Sequence, residues 1–379
     1  MIQNKRLRRN IVEYQNWLAE TDFLWNRFNS LTTALENFIL DVLSDESFAI
    51  KVASKFEDVL SRCDEIDYSE NETAIAYCIL HFLPRYRMFQ MIYSKLLTEN
   101  LLPLKIKKNP VRTLDIGTGP GPSMYALSDL YSSLQIFGGV SSEFQQRQDY
   151  VEQSIGFRNI LHHFTEVANA DYRCDEIGWN VPYHHGSFGD FTSINFNPMY
   201  INYCGIPKII RFRFNLITSS NFFTTVGQVE NQKNEITDCV RYLRHNGIFL
   251  VVGAKSEKST RNDKNYSKIY SLIKQLVITE DYSTRLVNAW AKPIEIPDNL
   301  FSINSDDRFG KRIVSFYNVI IRNLSERKID EYIPIRVREN ILEGMHPNYQ
   351  FNNRCEINVF RKIAIPKHFK RTKTTKRVK

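Results

Sequence analysis

The stretch "LDIGTGPGPSMYAL", from Leu114 to Leu127, places three glycines within five residues, between a short apolar run and a segment with helical spacing. Glycine has no Cβ, so a turn of this composition after a strand lets a ligand approach the backbone closely. The spacing is G-x-G-x-G, and Pro122 stands where a dinucleotide-binding turn has its third glycine. Asp115 would repel a pyrophosphate and suits a positively charged ligand. The turn therefore disfavours a nicotinamide-dependent dehydrogenase.

Strand-like and helical patterns alternate from Val111 onward. "VRTLDIG", "LQIFGGV", "RFNLITSS" and "GIFLVVG" predict strands, while "PSMYALSDLYSS", "EFQQRQDYVEQSIG" and "NQKNEITDCVRYLRH" predict helices. Near the C-terminus, "RIVSFYNVIIRNL" and "CEINVFRKIAI" predict two long strands that pair as an antiparallel edge. Alternation of this kind is typical of an α/β fold with a mostly parallel sheet.

The first hundred residues have a different pattern. Apolar residues from Ile11 to about residue 100 recur at three- and four-residue steps, which predicts helices. Ser69 and Glu72 have the spacing of a capping box, and Pro84 is expected to kink or split the helix that follows. We therefore expect a helical N-terminal cap (1–104), an α/β domain (105–365) and a basic, disordered tail (366–379).

The net charge of +8 is concentrated at the two ends of the chain. The first ten residues carry four basic side chains and the last fourteen carry seven, with no acid in either segment, so the body has a net charge of −3. Basic ends attract polyanions such as RNA without selecting among them, and a merely solubilising tail is the alternative.

Cysteine spacing and hydropathy exclude several classes. The six cysteines are scattered without a C-x-x-C pair, which argues against zinc or iron–sulfur sites and favours a reducing compartment. Neither a membrane-spanning run nor a secretory signal is evident, so a cytoplasmic protein is expected. His162–His163 and His184–His185 are adjacent pairs whose side chains diverge, so no metal site is predicted.

The segment "LDIGTGPG" resembles the first motif of the class I S-adenosylmethionine-dependent methyltransferases. This resemblance implies a Rossmann-like, mostly parallel seven-stranded sheet with an antiparallel edge strand, next to the helical cap. It implies S-adenosyl-L-methionine as cofactor, a methyltransferase activity, and contacts to the methionine and ribose parts from the segment that holds Asp115, Gly117, Thr118, Gly119 and Gly121. A bulky residue in place of Gly119 is expected to abolish cofactor binding.

Further positions follow from the same resemblance. Glu143, at the end of the predicted second strand, would bind the ribose hydroxyls, and Asp190 in "SFGDF" would lie beside the adenine amine. "FNLITSSNFF" resembles the fourth strand and the loop that borders the transferred methyl group. It implies Ser219 as a cofactor contact and Asn221 and Phe222 as substrate-pocket residues.

Another candidate for the substrate pocket comes from "NFNPMY". This segment resembles the N-P-P-Y motif of amino-group methyltransferases, with Met199 in place of a proline, and makes Tyr200 a candidate for contact with an extruded base. Asn197 and Tyr200 are otherwise expected in a loop.

A narrower resemblance covers residues 70–260. "TAIAYCILHFLPRYRMFQMIYSKLL" followed by the glycine turn is similar to methyltransferase-like proteins associated with small ribosomal subunits, although their clustered cysteines are missing here. RNA is therefore the favoured methyl acceptor. A small-molecule O- or N-methyltransferase and a non-catalytic, cofactor-binding assembly factor remain alternatives. The sequence identifies no general base.

Overall fold

The computed structural model of the chain describes residues 2–62, 66–104, 111–138, 146–171, 184–187, 199–203, 206–210, 214–254, 265–277, 285–288, 302–304, 307–344, 350–352 and 355–363. The helices are α1 (Ile2–Thr21), α2 (Phe23–Val42), α3 (Glu46–Arg62), α4 (Asn71–Tyr77), α5 (Leu83–Thr98), α6 (Pro122–Ile136), α7 (Ile155–Asp171), α8 (Val226–Asn231), α9 (Lys233–Tyr242), α10 (Tyr266–Val277), α11 (Arg308–Glu326) and α12 (Ile335–Gly344). The strands are β1 (Val111–Ile116), β2 (Gln146–Val151), β3 (His184–Ser187), β4 (Met199–Tyr203), β5 (Ile206–Ile210), β6 (Phe214–Ser220), β7 (Leu243–Ala254), β8 (Arg285–Asn288), β9 (Ser302–Asn304), β10 (Gln350–Asn352) and β11 (Cys355–Ile363).

The main sheet has the strand order β3-β2-β1-β6-β7-β11-β8. Strands β3, β2, β1, β6 and β7 pair in parallel, whereas β11 runs antiparallel to both β7 and β8. The prediction of an α/β fold with a mostly parallel sheet is confirmed. The antiparallel strand β11 is not the edge strand as predicted, because β8 pairs with it and forms the edge of the sheet.

Alternate residues of the strands serve two separate hydrophobic cores. Leu216 and Leu250 point to the face that packs on α6 and the N-terminal helices. Their neighbours Ile217 and Val251 point to the face covered by α9 and α10. All six residues of β1 are buried, as expected for a central parallel strand that has helices on both faces.

The predicted helical character of residues 11 to about 100 is confirmed by α1–α5. Helix α5 packs along α6, α4 packs against α7, and α2 packs against both α6 and α7. These helices share one continuous hydrophobic core with the sheet face beneath them. No helix within the described ranges is long and apolar enough to cross a bilayer.

The helical run from Asn71 to Thr98 is continuous and contains a π-helical turn at Cys78–Phe82. Pro84 follows directly in α5 without splitting the run; it has no N–H for the Leu80 carbonyl, which accepts from the Tyr317 hydroxyl at 2.8 Å instead. The predicted capping box is wrong. The Ser69 hydroxyl donates to Asp67 Oδ1 at 2.7 Å, and α4 begins after Glu70 without a side-chain cap.

A buried polar cluster around Asp129 of α6 joins the sheet domain to the N-terminal helices. The Tyr86 hydroxyl donates to Asp129 Oδ2, and Arg27 Nε lies 3.6 Å from Asp129 Oδ1. Gln90 Nε2 donates to the Tyr86 hydroxyl at 3.0 Å. Burial raises the pKa of Asp129 to about 7, against the opposing effect of Arg27. Removal of one member would leave another buried polar group without its partner, so the cluster fixes α2 and α5 relative to α6.

The segment "RIVSFYNVIIRNL" is helical, so the predicted strand is wrong. It lies in α11, whose first turn is capped by the Asp307 side chain accepting from Gly310 N at 2.8 Å. The buried side chains are spaced for one face of a helix: Phe309, Ile313, Phe316, Tyr317, Ile320 and Leu324. This face packs on the N-terminal helices, so two distant segments of the chain build one helical layer.

The second strand is also elsewhere than predicted. Leu134–Ile136 end α6, and β2 occupies Gln146–Val151, inside the predicted helix of residues 143–156. The side chains of this strand are mostly polar, so its sequence lacks the apolar pattern that predicts a buried strand. Arg112 Nη2 lies 2.7 Å from Asp149 Oδ2, and Gln148 Nε2 donates to the Met124 carbonyl at 3.0 Å. Paired polar groups of this kind can be buried without a large penalty.

Arg312 provides a test of the contact between α11 and α2. Its guanidinium donates to Asn29 Oδ1, Thr33 Oγ1 and Glu36 Oε2 at 2.9, 3.1 and 3.0 Å. We expect Arg312→Ala to lower the free energy of unfolding by about 1–2 kcal/mol, because these bonds include a charged pair. Urea unfolding followed by circular dichroism measures the loss.

The matched control is Arg322→Ala on the same helix. Arg322 is 80% exposed and pairs with Glu326 one turn away. Such pairs contribute roughly 0.5 kcal/mol or less. Equal losses for the two variants would contradict a specific anchoring role of Arg312.

Candidate functional site

The glycine turn after β1 is held in a left-handed conformation. Gly117, Gly119 and Gly121 have φ values of +65°, +58° and +89°. Other residues adopt this region at a cost of about 1–2 kcal/mol each, which explains the three glycines. Gly117 N donates to the Val151 carbonyl at 2.9 Å, so the turn is fastened to the end of β2.

The register of the sheet places three strand ends side by side. Ile116 at the end of β1 pairs with Val151 of β2 and with Ser219 of β6. The chain leaves β1 at the point where the strand order reverses, with β2 on one side and β6 on the other. Ligands of open α/β sheets bind in the crevice outside such a point.

Glu152 follows β2 directly and bonds to the turn. Its Oε2 accepts from Gly119 N at 2.7 Å, and its Oε1 accepts from Ser154 N at 2.9 Å. The side chain is buried, and burial raises the pKa of Glu152. Two backbone donors thus hold the carboxyl group in one orientation beside the turn.

Asp115 is the second buried carboxyl group of the site. Its Oδ2 accepts from the Thr118 hydroxyl at 2.8 Å, whereas the buried Oδ1 has no hydrogen-bond partner among the described residues. Burial raises the pKa of Asp115 to about 7; Thr118 and Ser123 lower it, and Glu152 raises it further. A buried oxygen without a donor is costly, so the geometry suits a ligand that brings a cationic donor.

A hydroxyl network connects the glycine turn to α5. The Tyr93 hydroxyl lies 2.7 Å from Ser123 Oγ and 3.5 Å from Thr218 Oγ1. Ser123 lies in the first turn of α6, directly after Gly121 and Pro122. One buried side chain of α5 therefore contacts both α6 and β6 beneath the site.

A cavity of about 360 Å³ opens over the turn. The sheet side contributes Asp115, Gly117, Thr118, Gly119, Glu152 and Phe157, the N-terminal helices and the loop that joins α3 to α4 contribute Ile66, Tyr68, Tyr77, Arg85 and Phe89, and the chain after β6 contributes Ser220, Asn221, Phe222, Thr224, Gln228 and Gln232. The volume is at the lower end for small-molecule sites, which leaves room for one ligand of moderate size.

One wall of the cavity is aromatic. The rings of Tyr68 and Phe157 are stacked with centroids 4.4 Å apart, and Tyr77 meets Phe157 edge-on at 5.1 Å. Flat aromatic walls bind planar or apolar ligand groups. Arg85 lies over Tyr77, with its Cζ 5.5 Å from the ring centroid.

Most of the sequence-predicted residues that the structure describes do meet at this cavity. Asp115, Gly117, Thr118, Gly119, Asn221 and Phe222 line it. Gly121 instead precedes the first residue of α6, and a Cβ there would lie 2.6 Å from Leu161. Ser219 is buried within β6, and its neighbour Ser220 lines the cavity instead.

The remaining site predictions fall outside the described residues or on a separate sheet. Glu143 and Asp190 lie outside the described residues, as does Asn197. Because β2 ends at Val151, the acid that directly follows the second strand is Glu152, and the role given to Glu143 stays a prediction. Tyr200 lies in β4, which pairs with β5 in a separate two-stranded sheet, so the prediction of a loop there is wrong.

Sequence reasoning missed Glu152, Phe157 and the cavity residues of the N-terminal helices. Glu152 follows the apolar pair Tyr150–Val151, which was the available signal for a strand end. Tyr77 and Arg85 carry no signal of their own, because only the packing of α4 and α5 brings them over the turn. Within the described ranges, no three His, Cys, Asp or Glu side chains are arranged to hold a metal ion.

Comparison with known proteins gives weak similarities. No family model and no curated protein matches. Among solved structures, the chain is similar to the CcbJ methyltransferase from Streptomyces caelestis (16% identity, TM-score 0.28, 45% of this chain and 49% of the other). It is also similar to phosphoethanolamine N-methyltransferase 2 from Haemonchus contortus (14%, 0.37, 82% and 60%) and to a loganic acid methyltransferase (10%, 0.40, 79% and 96%).

The chain thus spans 49% and 60% of the lengths of the first two of these proteins. At such identities and TM-scores, none of the three similarities decides an activity for this chain.

The glycine turn is tested by Gly117→Ala. A Cβ on Gly117 would lie 2.5 Å from a ring carbon of Phe222, in addition to the cost of positive φ. We expect a loss of about 2–4 kcal/mol in the free energy of unfolding, from strain plus overpacking. Chemical denaturation measures it.

Gly138→Ala is the matched control for this substitution. Gly138 has φ +79°, and a Cβ there would meet nothing within 4 Å. Strain alone should cost about 1–2 kcal/mol. If both variants lose the same stability, close packing between Gly117 and Phe222 is not what requires the glycine.

Proposed function

We propose that the chain is a methyltransferase that binds S-adenosyl-L-methionine over the glycine turn. The observation that carries the proposal is the buried Asp115 carboxyl group, whose Oδ1 has no donor, beneath a left-handed turn at the switch point of the sheet. The cofactor's ammonium is a cationic donor of the kind that this oxygen lacks.

The proposed roles of the other residues follow from their positions. Gly119 leaves space beside Phe157, since a Cβ there would approach the ring no closer than 3.9 Å. Glu152 has two oxygens fixed by backbone donors and can still accept from ribose hydroxyls. The aromatic pair Tyr68 and Phe157 offers a flat wall for the adenine.

The chain's part in the reaction is to position the two reactants. The sulfonium of the bound cofactor supplies an activated methyl electrophile. Asn221 has φ +49°, and its N–H donates to the Val252 carbonyl at 2.8 Å, which fixes the loop after β6 against β7. Asn221 and Phe222 then form the wall on the acceptor side. Alignment of this kind accounts for large rate gains without a general base.

Two acceptor classes rest on different observations. The basic ends of the sequence favour RNA, and their side chains lie outside the described residues. Tyr77 and Phe89 of the N-terminal helices line the cavity, which favours a small molecule enclosed under a helical cap. In this proposal residues 1–104 form the cap, 105–365 form the methyltransferase domain, whose helix α11 packs on the cap, and 366–379 form a basic tail.

The test is transfer of a tritiated methyl group from S-adenosylmethionine into cell extract separated into RNA, protein and metabolite fractions. We expect label in the RNA or metabolite fraction. Gly119→Leu serves as the blank, because the added side chain extends beside Phe157 into the cavity. Gly138→Leu is the matched control at an open position with positive φ. Cofactor binding without labelling of any fraction would favour an assembly factor.

The pKa of Asp115 predicts how cofactor binding depends on pH. The carboxyl group is protonated below about pH 7 in the ligand-free protein, and a cationic ligand favours its charged form. Binding at lower pH therefore requires loss of a proton, so the Kd of S-adenosylhomocysteine should fall as pH rises and level off above about pH 8. The limiting slope is about tenfold per pH unit for one group.

Isothermal titration calorimetry between about pH 5.5 and 8.5 measures this dependence. Asp115→Asn removes the titrating group and should bind more weakly at high pH with a flatter profile. Glu152, whose pKa is also raised, leaves a residual slope of the same sign. A profile that is equally steep in the variant would exclude Asp115 as the group that meets the cation.

A further inference from the structure

The charged groups of the cavity come from different layers of the fold. Asp115 lies in β1 and Glu152 directly after β2, whereas Arg85 lies on α5 of the N-terminal helices. Among the described residues that line the cavity, Arg85 is the one with a permanent positive charge. A ligand that fills this space therefore meets two carboxyl groups and one guanidinium.

We propose that Arg85 binds the carboxylate of the cofactor's methionine part. This inference rests on the proposed function and extends it to the helical layer. The amino-acid end of the cofactor carries one ammonium and one carboxylate on the same carbon. The ammonium matches Asp115, and the carboxylate matches a guanidinium, which pairs with it through two parallel hydrogen bonds.

The shared lining of the cavity favours this source of the carboxylate over the methyl acceptor. Arg85 lines the same cavity as the glycine turn, Asp115 and Glu152, which are the residues proposed to hold the cofactor. The carboxylate that Arg85 meets is therefore the one that enters with the cofactor.

Helix α5 presents Arg85 from a fixed position. Arg85, Phe89 and Tyr93 are spaced four residues apart and share one face of the helix. Arg85 and Phe89 line the cavity, and Tyr93 is bonded to Ser123 at the start of α6. The face that carries Arg85 is thus tied to the same turn of chain that carries the glycines.

The Tyr77 ring restricts the guanidinium further. Arg85 Cζ lies 5.5 Å from the ring centroid, and Tyr77 itself packs edge-on against Tyr68 and Phe157. Contact with an aromatic face restricts the guanidinium and lowers the entropy lost on binding. Arg85 is therefore a pre-positioned carboxylate receptor rather than a mobile surface charge.

The experiment compares two ligands by calorimetry. S-adenosylhomocysteine carries the carboxylate, whereas its decarboxylated analogue, S-adenosyl-3-thiopropylamine, keeps the nucleoside, sulfur and amine. We expect Arg85→Met to weaken S-adenosylhomocysteine about 10- to 100-fold, as expected for a charged hydrogen bond. The analogue should bind wild type and variant equally, within about threefold. Arg85→Lys should recover part of the affinity, because it keeps the charge without the fork.

The matched control is Arg322→Met, which removes the same charge from an 80% exposed site on α11 and should change neither affinity. Equal binding of S-adenosylhomocysteine to wild type and Arg85→Met would overturn the inference and leave the proposed function standing. Equal weakening of both ligands in Arg85→Met would also overturn it, since Arg85 would then hold the fold and not the carboxylate. Failure of the wild type to bind S-adenosylhomocysteine would overturn the proposed function as well.

Discussion

The hydrogen bond from Gly119 N to Glu152 Oε2 joins the two halves of the site. It connects the turn after β1 to the end of β2, and it forms because the register places Ile116 beside Val151. The same register places Ser219 on the other side, so the loop with Phe222 closes against Gly117. The close approach of these three segments also explains the desolvation of Asp115 and its raised pKa.

The fold could be predicted where apolar patterning and burial agree. The strands at "VRTLDIG", "RFNLITSS" and "GIFLVVG" are buried and apolar, and their prediction is confirmed. Strand β2 was missed because its polar side chains are paired with other parts of the fold, as Arg112 pairs with Asp149. Helix α11 was missed because Ile313, Val314 and Ile320 suggest strands when the four-residue spacing of its buried face is ignored.

The site residues also divide into those that the sequence predicts and those that it does not. Asp115 and the glycines could be predicted, because positive φ and close approach restrict the residue type at each position. The prediction of Glu152 as a site residue would have required the correct position of β2, because Glu152 directly follows that strand. Tyr68, Tyr77 and Arg85 depend on how helices distant in sequence pack over the turn. No local pattern encodes that packing, since each residue is also typical of an ordinary helix or loop.

The helical layer has two separate anchors, which keep its cavity face in place. Near the glycine turn, the Tyr93 hydroxyl is hydrogen-bonded to Ser123 at the start of α6. Farther along α6, Asp129 accepts from the Tyr86 hydroxyl and pairs with Arg27. On the far side, Arg312 of α11 fastens α2 through three bonds. The pi-helical turn at Cys78–Phe82 shifts the helical phase between these anchors and Tyr77, so that Tyr77 and Arg85 both face the cavity. Rigidity in the layer thus keeps the guanidinium in position and reduces the ordering cost that a ligand has to overcome.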